Sequence, residues 1–154
     1  MDNDLLVSKT GTIERCIKRA RDEYEKDPTT FVGDITRQDA ATLNVLRAWE
    51  AAVEMGDHLL ARFGLGTAPD ERAVISLLEE NGWIDPALGE DMKRIGEFCR
   101  AEWDYQAAPL PALVTIIKRG LDDVDAYARA LLAKAAETPA EPADDAPPPG
   151  DPAI

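Results

Sequence analysis

The sequence is poor in the residues that most often build metal and redox sites, with two cysteines and one histidine in 154 residues. Cys16 and Cys99 each stand alone at an apolar helical position, without the paired spacing of a zinc site. We therefore expect two reduced, buried thiols, no metal site and no cofactor. This cysteine usage suits a cytoplasmic protein.

Long hydrophobic runs are also lacking. No apolar segment approaches the ~20 residues needed to span a bilayer. Residues 1–4 (MDND) are acidic where a signal peptide would be basic. Neither membrane insertion nor secretion is expected.

Positive charge is scarce, because 17 Lys and Arg face 30 Asp and Glu, giving a formal net charge of −13. Such a surface repels polyanions and disfavours RNA as a partner, although a local basic patch can still exist. One basic cluster lies near the start of the chain: Arg15, Lys18, Arg19 and Arg21. It is either a solvated helix face paired with neighbouring acidic residues, or a patch that faces RNA or an acidic partner protein.

What the chain does contain is apolar residues at helical spacing, with no strand signal. The first helix is predicted from Asp4 to Lys26, since Asp27-Pro28 ends it. The second and longest is predicted from Thr36, with Asp39 completing a variant capping box, to Phe63. Its apolar stripe consists of Leu43, Leu46, Trp49, Val53, Leu60 and Phe63.

His58 lies on this second helix, on the side opposite the stripe. It is either plain surface or a group in a subunit contact or in acid–base chemistry beside Asp57.

Three more helices are predicted from capping and breaking residues. A short one has Pro69 in its first turn and ends at Asn81-Gly82. The next begins at Asp85-Pro86, where the aspartate caps and the proline takes the first turn. Pro109 and Pro111 separate it from the last. The fold class is therefore all-α, an antiparallel (up-and-down) helical bundle of four to five helices.

The composition divides the chain at residue 136. Residues 1–136 form the predicted bundle, whereas residues 137–154 are rich in proline, alanine and acidic residues and contain no aromatic or basic residue. We expect this tail to be disordered, because it cannot bury enough apolar surface to offset its ordering entropy. Solubility is its simplest role, and docking of Pro147 to Pro149 into a partner groove is the alternative.

The stretch from Met92 to Tyr105 is the most informative for function. An apolar stripe runs along its helix: Leu88, Met92, Ile95, Cys99 and Trp103. Phe98 and Tyr105 lie two turns apart on a neighbouring strip.

Several stretches resemble the HepT-like subgroup of the HEPN superfamily over residues 1 to about 133: TIERCIKR (12–19), DITRQDA (34–40), AAVEMGDHLL (51–60), LLEENG (77–82) and DYQ (104–106). The resemblance implies a helical bundle that forms a homodimer with a cleft between the subunits. It also implies a metal-independent RNase toxin, encoded beside a minimal nucleotidyltransferase antitoxin that can silence it by attaching AMP to a tyrosine. The family's motif is an arginine, four to six residues, then histidine, any residue and tyrosine.

This sequence keeps only part of that motif. Tyr105 matches the tyrosine, and so the resemblance makes it the AMP acceptor; a buried phenol is the alternative. Trp103 stands in place of the histidine, and we expect it in the core or an interface. The arginine window holds Gly96, Glu97 and Phe98. The cleft is therefore predicted to contain no catalytic residue and to be lined by Phe98, Arg100, Glu102, Trp103 and Asp104.

Arg100 cannot simply replace the missing arginine, because it follows Phe98 by two residues, roughly 200° around the helix. The first hypothesis is therefore a catalytically degenerate subunit that binds a nucleotidyltransferase antitoxin or a related toxin subunit. The second is an active RNase that uses relocated residues at Arg100, Glu102 or Asp104. The third is an interaction scaffold with no connection to toxins.

Overall fold

The computed structural model describes residues 3–104 and 109–139, and within these ranges all regular structure is helical. The segments are α1 (Asp4–Glu25), α2 (Pro28–Phe31), α3 (Ile35–Phe63), α4 (Glu71–Glu80), α5 (Pro86–Trp103), α6 (Leu110–Thr115) and α7 (Leu121–Glu137). A π-helical turn, Ile116–Gly120, joins α6 to α7. Among the described residues, no helix is long and apolar enough to cross a membrane.

The long helices α1, α3, α5 and α7 form an antiparallel bundle. Asn3, just before α1, accepts a hydrogen bond from Arg62 near the end of α3 (2.8 Å), and Lys9 pairs with Glu54, so these two helices run in opposite directions. On the other side of α1, Arg21 pairs with Asp122 at the start of α7 (2.8 Å). The predicted all-α up-and-down bundle is confirmed.

Aspartates cap several helices. Asp85 accepts from the backbone N–H of Leu88 (2.8 Å), which confirms the predicted cap of α5. The start predicted near Thr36 agrees with the observed Ile35, but the capping box with Asp39 is wrong, because Asp34 caps α3 by accepting from Arg37 N (3.1 Å). Similarly, Pro69 lies before the helix rather than in its first turn.

In α4 the cap is Asp70, which accepts from Ala73 N (2.8 Å). The wrong caps predicted for α3 and α4 have one physical cause. In each helix an aspartate just before the first helical residue accepts from the backbone N–H three residues later.

The corner between α1 and α3 contains the unpredicted helix α2 and is held together by Arg37. Its guanidinium donates to the backbone oxygen of Glu23 in the last turn of α1 (2.9 and 2.7 Å). It also donates to the backbone oxygen of Asp27 (3.0 Å), which accepts two N–H groups of α2 as well. It also lies 5.5 Å from the centre of the Phe31 ring, which is fully buried. One side chain of α3 thus fixes the end of α1.

The core lies between the long helices and includes both cysteines, as predicted. Tyr127 of α7 is fully buried and donates to the backbone oxygen of Ala52 in α3 (2.7 Å), passing through the space left by Gly56. The stripe predicted on α3 is wrong at Leu43, which is exposed. The other stripe members are buried or half-buried.

The predicted tail begins where the described residues end. Helix α7 continues to Glu137, and residues 140–154 lie outside the described residues. The predicted disorder of that segment and the domain boundary at residue 136 therefore stay predictions.

Candidate functional site at the end of α5

Helix α5 is seated by two glycines that allow close packing. Gly96 lies against the indole of Trp49, and Gly89 lies against the carboxylate of Glu79. These contacts fix the rotation of α5 and hence the direction in which each motif position points. Helix α4 runs parallel to α3, since Glu71 bonds to Trp49 and Leu78 lies against Gly56. Helix α5 runs antiparallel to both, since Glu97 pairs with Arg72 and Gly89 contacts Glu79.

Phe98 is buried, with 7% of its surface exposed, in the wall of an open groove. This α5–α6 groove has a volume of about 590 Å³. It runs between α5 and the continuous helical segment formed by α6, the π turn and the start of α7. Ile95 and Phe98 form its apolar α5 wall, and Ile116 faces them from the π turn. Arg94 and Arg119 lie at its rim with Asp91 and Asp123.

Arg100 does not enter this groove. It lines a second cavity of about 350 Å³ on the other side of α5, over Trp49, whose indole N–H donates to Glu71 (3.1 Å). Its guanidinium is largely exposed and lies 3.9 Å from the carboxylate of Asp104. The expected separation of Arg100 from the position of Phe98 is therefore confirmed.

The remaining cleft residues lie in the last turn of α5. Trp103 is 58% exposed, so its placement in the core is wrong, because α5 ends at this residue and its indole extends past the core. Glu102 is half-buried and Asp104, the C-cap, is exposed. Tyr105, the predicted AMP acceptor, lies outside the described residues.

The histidine is remote from this site. Trp49 and Gly96 are in contact and serve as a common reference point on α3 and α5. His58 lies nine residues further along α3, and Trp103 lies seven residues further along α5, which runs in the opposite direction. At 1.5 Å per residue, His58 and Trp103 are roughly 24 Å apart along the bundle axis. The fully outward position predicted for His58 is also wrong, because its Nε2 atom is buried.

Burial raises the pKa of two groups next to the site, Cys99 and Asp123. Burial raises the pKa of the Cys99 thiol well above its usual range, with a smaller contribution from Glu71 and Glu102. Burial, together with Asp91 and Asp122, raises the pKa of Asp123 in the groove. Cys99 is thus held as a neutral thiol and is no nucleophile.

The basic cluster on α1 divides into paired and unpaired residues. Lys18 bonds to Asp22 (2.9 Å) and Arg21 to Asp122, which confirms acidic partners for these two. The charges of Arg15 and Arg19 act on the thiol of Cys16 together with that of an arginine that sequence reasoning missed, Arg47 of α3. Burial raises the pKa of this thiol, and the three guanidinium groups partly oppose the shift.

No group of three or more histidine, cysteine or carboxylate side chains that could hold a metal ion occurs in the described part of the chain. The described side chains at the end of α5 offer guanidinium, carboxylate and aromatic groups.

The chain is similar to known toxins of one family. The family model described as "Ribonuclease HepT-like" matches residues 13–131. The mRNA nuclease HepT of Shewanella oneidensis is 32% identical over 133 residues, which cover 86% of this chain and 99% of that protein.

Similar solved structures also come from toxin–antitoxin complexes. The tri-AMPylated HEPN toxin of Shewanella oneidensis in complex with its MNT antitoxin superposes with a TM-score of 0.81 at 30% identity, covering 85% of this chain and 98% of the toxin. A toxin–antitoxin structure with AMP-PNP gives a TM-score of 0.79 at 28% identity, covering 84% and 98% of the two chains. This chain belongs to the HepT-like family of HEPN toxins from toxin–antitoxin modules.

Proposed function

We propose that this chain is a HepT-like subunit that does not cleave RNA and acts by binding a nucleotidyltransferase antitoxin or a related toxin subunit. One observation carries the proposal: the window for the family's arginine holds Gly96, Glu97 and Phe98, and the position of its histidine holds Trp103, an exposed indole. None of these side chains can both stabilise a charged phosphorane and move the proton of a 2′-hydroxyl.

The neighbouring groups do not compensate. Arg100 reaches the cavity on the other side of α5, and His58 is distant along the bundle. The carboxylate of Asp104 is 58% exposed and lies 3.9 Å from Arg100. An active RNase with relocated residues therefore has no support in the geometry.

The partner is proposed from the relatives. Similar toxins form complexes with an MNT antitoxin, and one of them carries AMP groups. Tyr105 stands at the position of the family's tyrosine in the sequence. We therefore take Tyr105 as the AMP acceptor and also take the chain to form a homodimer in the cytoplasm.

The test is AMP transfer with a nucleotidyltransferase of the MNT type, the kind that binds the similar toxins. The two proteins are mixed with ATP and magnesium, and the chain is weighed by mass spectrometry. We expect a stable complex and AMP addition that Tyr105→Phe abolishes, whereas Tyr24→Phe, a half-buried tyrosine elsewhere on the bundle, leaves it intact. Absence of both complex and AMP would overturn the proposal.

A further inference from the structure

The surface where α1 meets α3 carries an arginine patch, formed by Arg15, Arg19 and Arg47. Lys9 of α1 pairs with Glu54 of α3, and the two helices run in opposite directions. Arg15 and Arg47 therefore lie at nearly the same level, six residues after Lys9 and seven residues before Glu54. Arg19 follows one helical turn after Arg15, and all three side chains are exposed.

The arginine patch has no counter-charge of its own. No ion pair joins any of its guanidinium groups to a carboxylate within residues 3–104 and 109–139, and Arg15 bonds to the hydroxyl of Thr12 (3.2 Å). Leu43, one turn before Arg47 on α3, adds an apolar side chain that is 44% exposed. In a chain with a net charge of −13, this patch is a local site for an acidic group that has some apolar surface.

The tail of the same chain has the complementary chemistry. Residues 140–154 contain no basic residue and four acidic ones: Glu141, Asp144, Asp145 and Asp151. Three consecutive prolines, at positions 147–149, give the same stretch apolar surface. Charge and composition therefore match the tail to the patch.

The tail also starts on the right side of the bundle. Lys18 of α1 and Asp125 of α7 line the same cavity, and α7 runs antiparallel to α1. Glu137, the last residue of α7, lies 12 residues after Asp125 and is therefore level with Leu6 on α1. From that level, Arg15 is roughly 14 Å away along the bundle axis at 1.5 Å per residue.

The length of the tail is sufficient. Crossing over α1 adds about one helix diameter, so the path from Glu137 to Arg15 is roughly 18 Å and the path to Arg19 roughly 23 Å. The backbone leaves α7 in an extended conformation at Thr138. An extended chain spans roughly 23 Å from Glu137 to Asp144 and roughly 26 Å to Asp145, at about 3.3 Å per residue.

We propose that the acidic stretch 141–151 docks on the arginine patch of its own molecule, with Asp144 and Asp145 at the guanidinium groups and the prolines beside Leu43. Exposed ion pairs are weak individually, but a tethered segment has an effective concentration on the order of millimolar, which favours the contact. The docked carboxylates keep other polyanions away from the only arginine cluster on this face. The contact lies on α1 and α3, and it holds whether or not the proposed function does.

The test uses a nitroxide label in the tail of the full chain and records its effect on backbone amide NMR signals. Ala146→Cys places the label directly after Asp145, whereas the natural thiols of Cys16 and Cys99 are buried. At low salt, the amide signals of the arginine patch should lose intensity relative to the sample with the reduced label. The intensity should return in about 1 M salt, where the Debye length falls to about 3 Å.

Two variants of the labelled chain should abolish this loss of intensity. One carries Arg15→Gln, Arg19→Gln and Arg47→Gln, and the other converts the four acidic residues of 140–154 to their amides. The matched control is Lys118→Gln with Arg119→Gln, because these two cations on the π turn also lack an ion pair within the described ranges. The control should keep the full loss of intensity at the patch.

Three results would overturn the proposal. The first is no loss of intensity at the patch, and the second is a loss that the arginine variant retains. The third is a loss seen only between a labelled copy and a separate isotope-labelled copy, which would assign the patch to the tail of another molecule. Binding of fluorescein-labelled RNA by the unmodified chain, lost in the arginine variant, would make the patch an RNA site instead. Circular dichroism of each variant checks that the fold is kept, and AMP transfer tests the proposed function separately.

Discussion

The indole of Trp49 occupies the space that a side chain at position 96 would need: a Cβ atom on Gly96 would lie 2.7 Å from the Trp49 ring. Trp49 is 2% exposed and tied to Glu71 by its N–H, so the ring has little freedom to withdraw. The close approach of α3 and α5 therefore depends on the absence of a side chain at Gly96.

Gly96→Ala should destabilise the bundle, since overpacking a tight contact costs about 1–3 kcal/mol. Urea unfolding measures the change in the free energy of unfolding. Gly11→Ala is the matched control: its Cβ would meet the mobile end of Arg15 at 3.3 Å, so the gain in helix propensity, about 1 kcal/mol, should dominate. Equal effects of the two substitutions would contradict the packing described for Trp49.

Arg37→Ala should also destabilise the fold. The substitution removes the charged donor from the carbonyl oxygens of Glu23 and Asp27, and hydrogen bonds from a charged group contribute about 1.5–3 kcal/mol. Thermal unfolding should show a lower midpoint for this variant. Arg129→Ala, which removes an exposed arginine, should leave the midpoint nearly unchanged, and a similar loss in both would mean that Arg37 is only a surface charge.

Stability should fall at alkaline pH. Burial raises the folded-state pKa of Cys99 above its usual 9.0 and that of Tyr127 above its usual 10.0. Below these values both groups are neutral in the folded and unfolded chains, so their contribution is fully present. As the pH rises past them, the unfolded chain loses protons that the folded chain keeps, which favours unfolding.

Urea midpoints measured between pH 7 and 11 test this. Tyr127→Phe should reduce the alkaline loss while lowering stability at pH 7, because the carbonyl oxygen of Ala52 loses its donor. A pH profile identical to that of the unmodified chain would show that the phenol of Tyr127 does not carry the effect.

Much of the fold follows from the sequence, because periodic apolar residues decide where a long helix lies and Asp85-Pro86 marks a helix start. The α1–α3 corner could not be predicted, since Arg37 bonds to backbone oxygens of another segment and no residue pattern records such partners. The angle per residue of an α-helix correctly predicted that Arg100 and Phe98 lie on different sides of α5. The same periodicity could not show that the apolar stripe of α5 leaves the core before Trp103, because that depends on where the neighbouring helices end.

The most direct test of the central claim is metal-free incubation of the purified chain with tRNA and mRNA, with the Shewanella oneidensis HepT nuclease as the positive control. We expect no cleavage by the unmodified chain or by Arg100→Ala under conditions in which the control cleaves. Cleavage by the unmodified chain that Arg100→Ala abolishes would contradict the account and identify Arg100 as a relocated catalytic group.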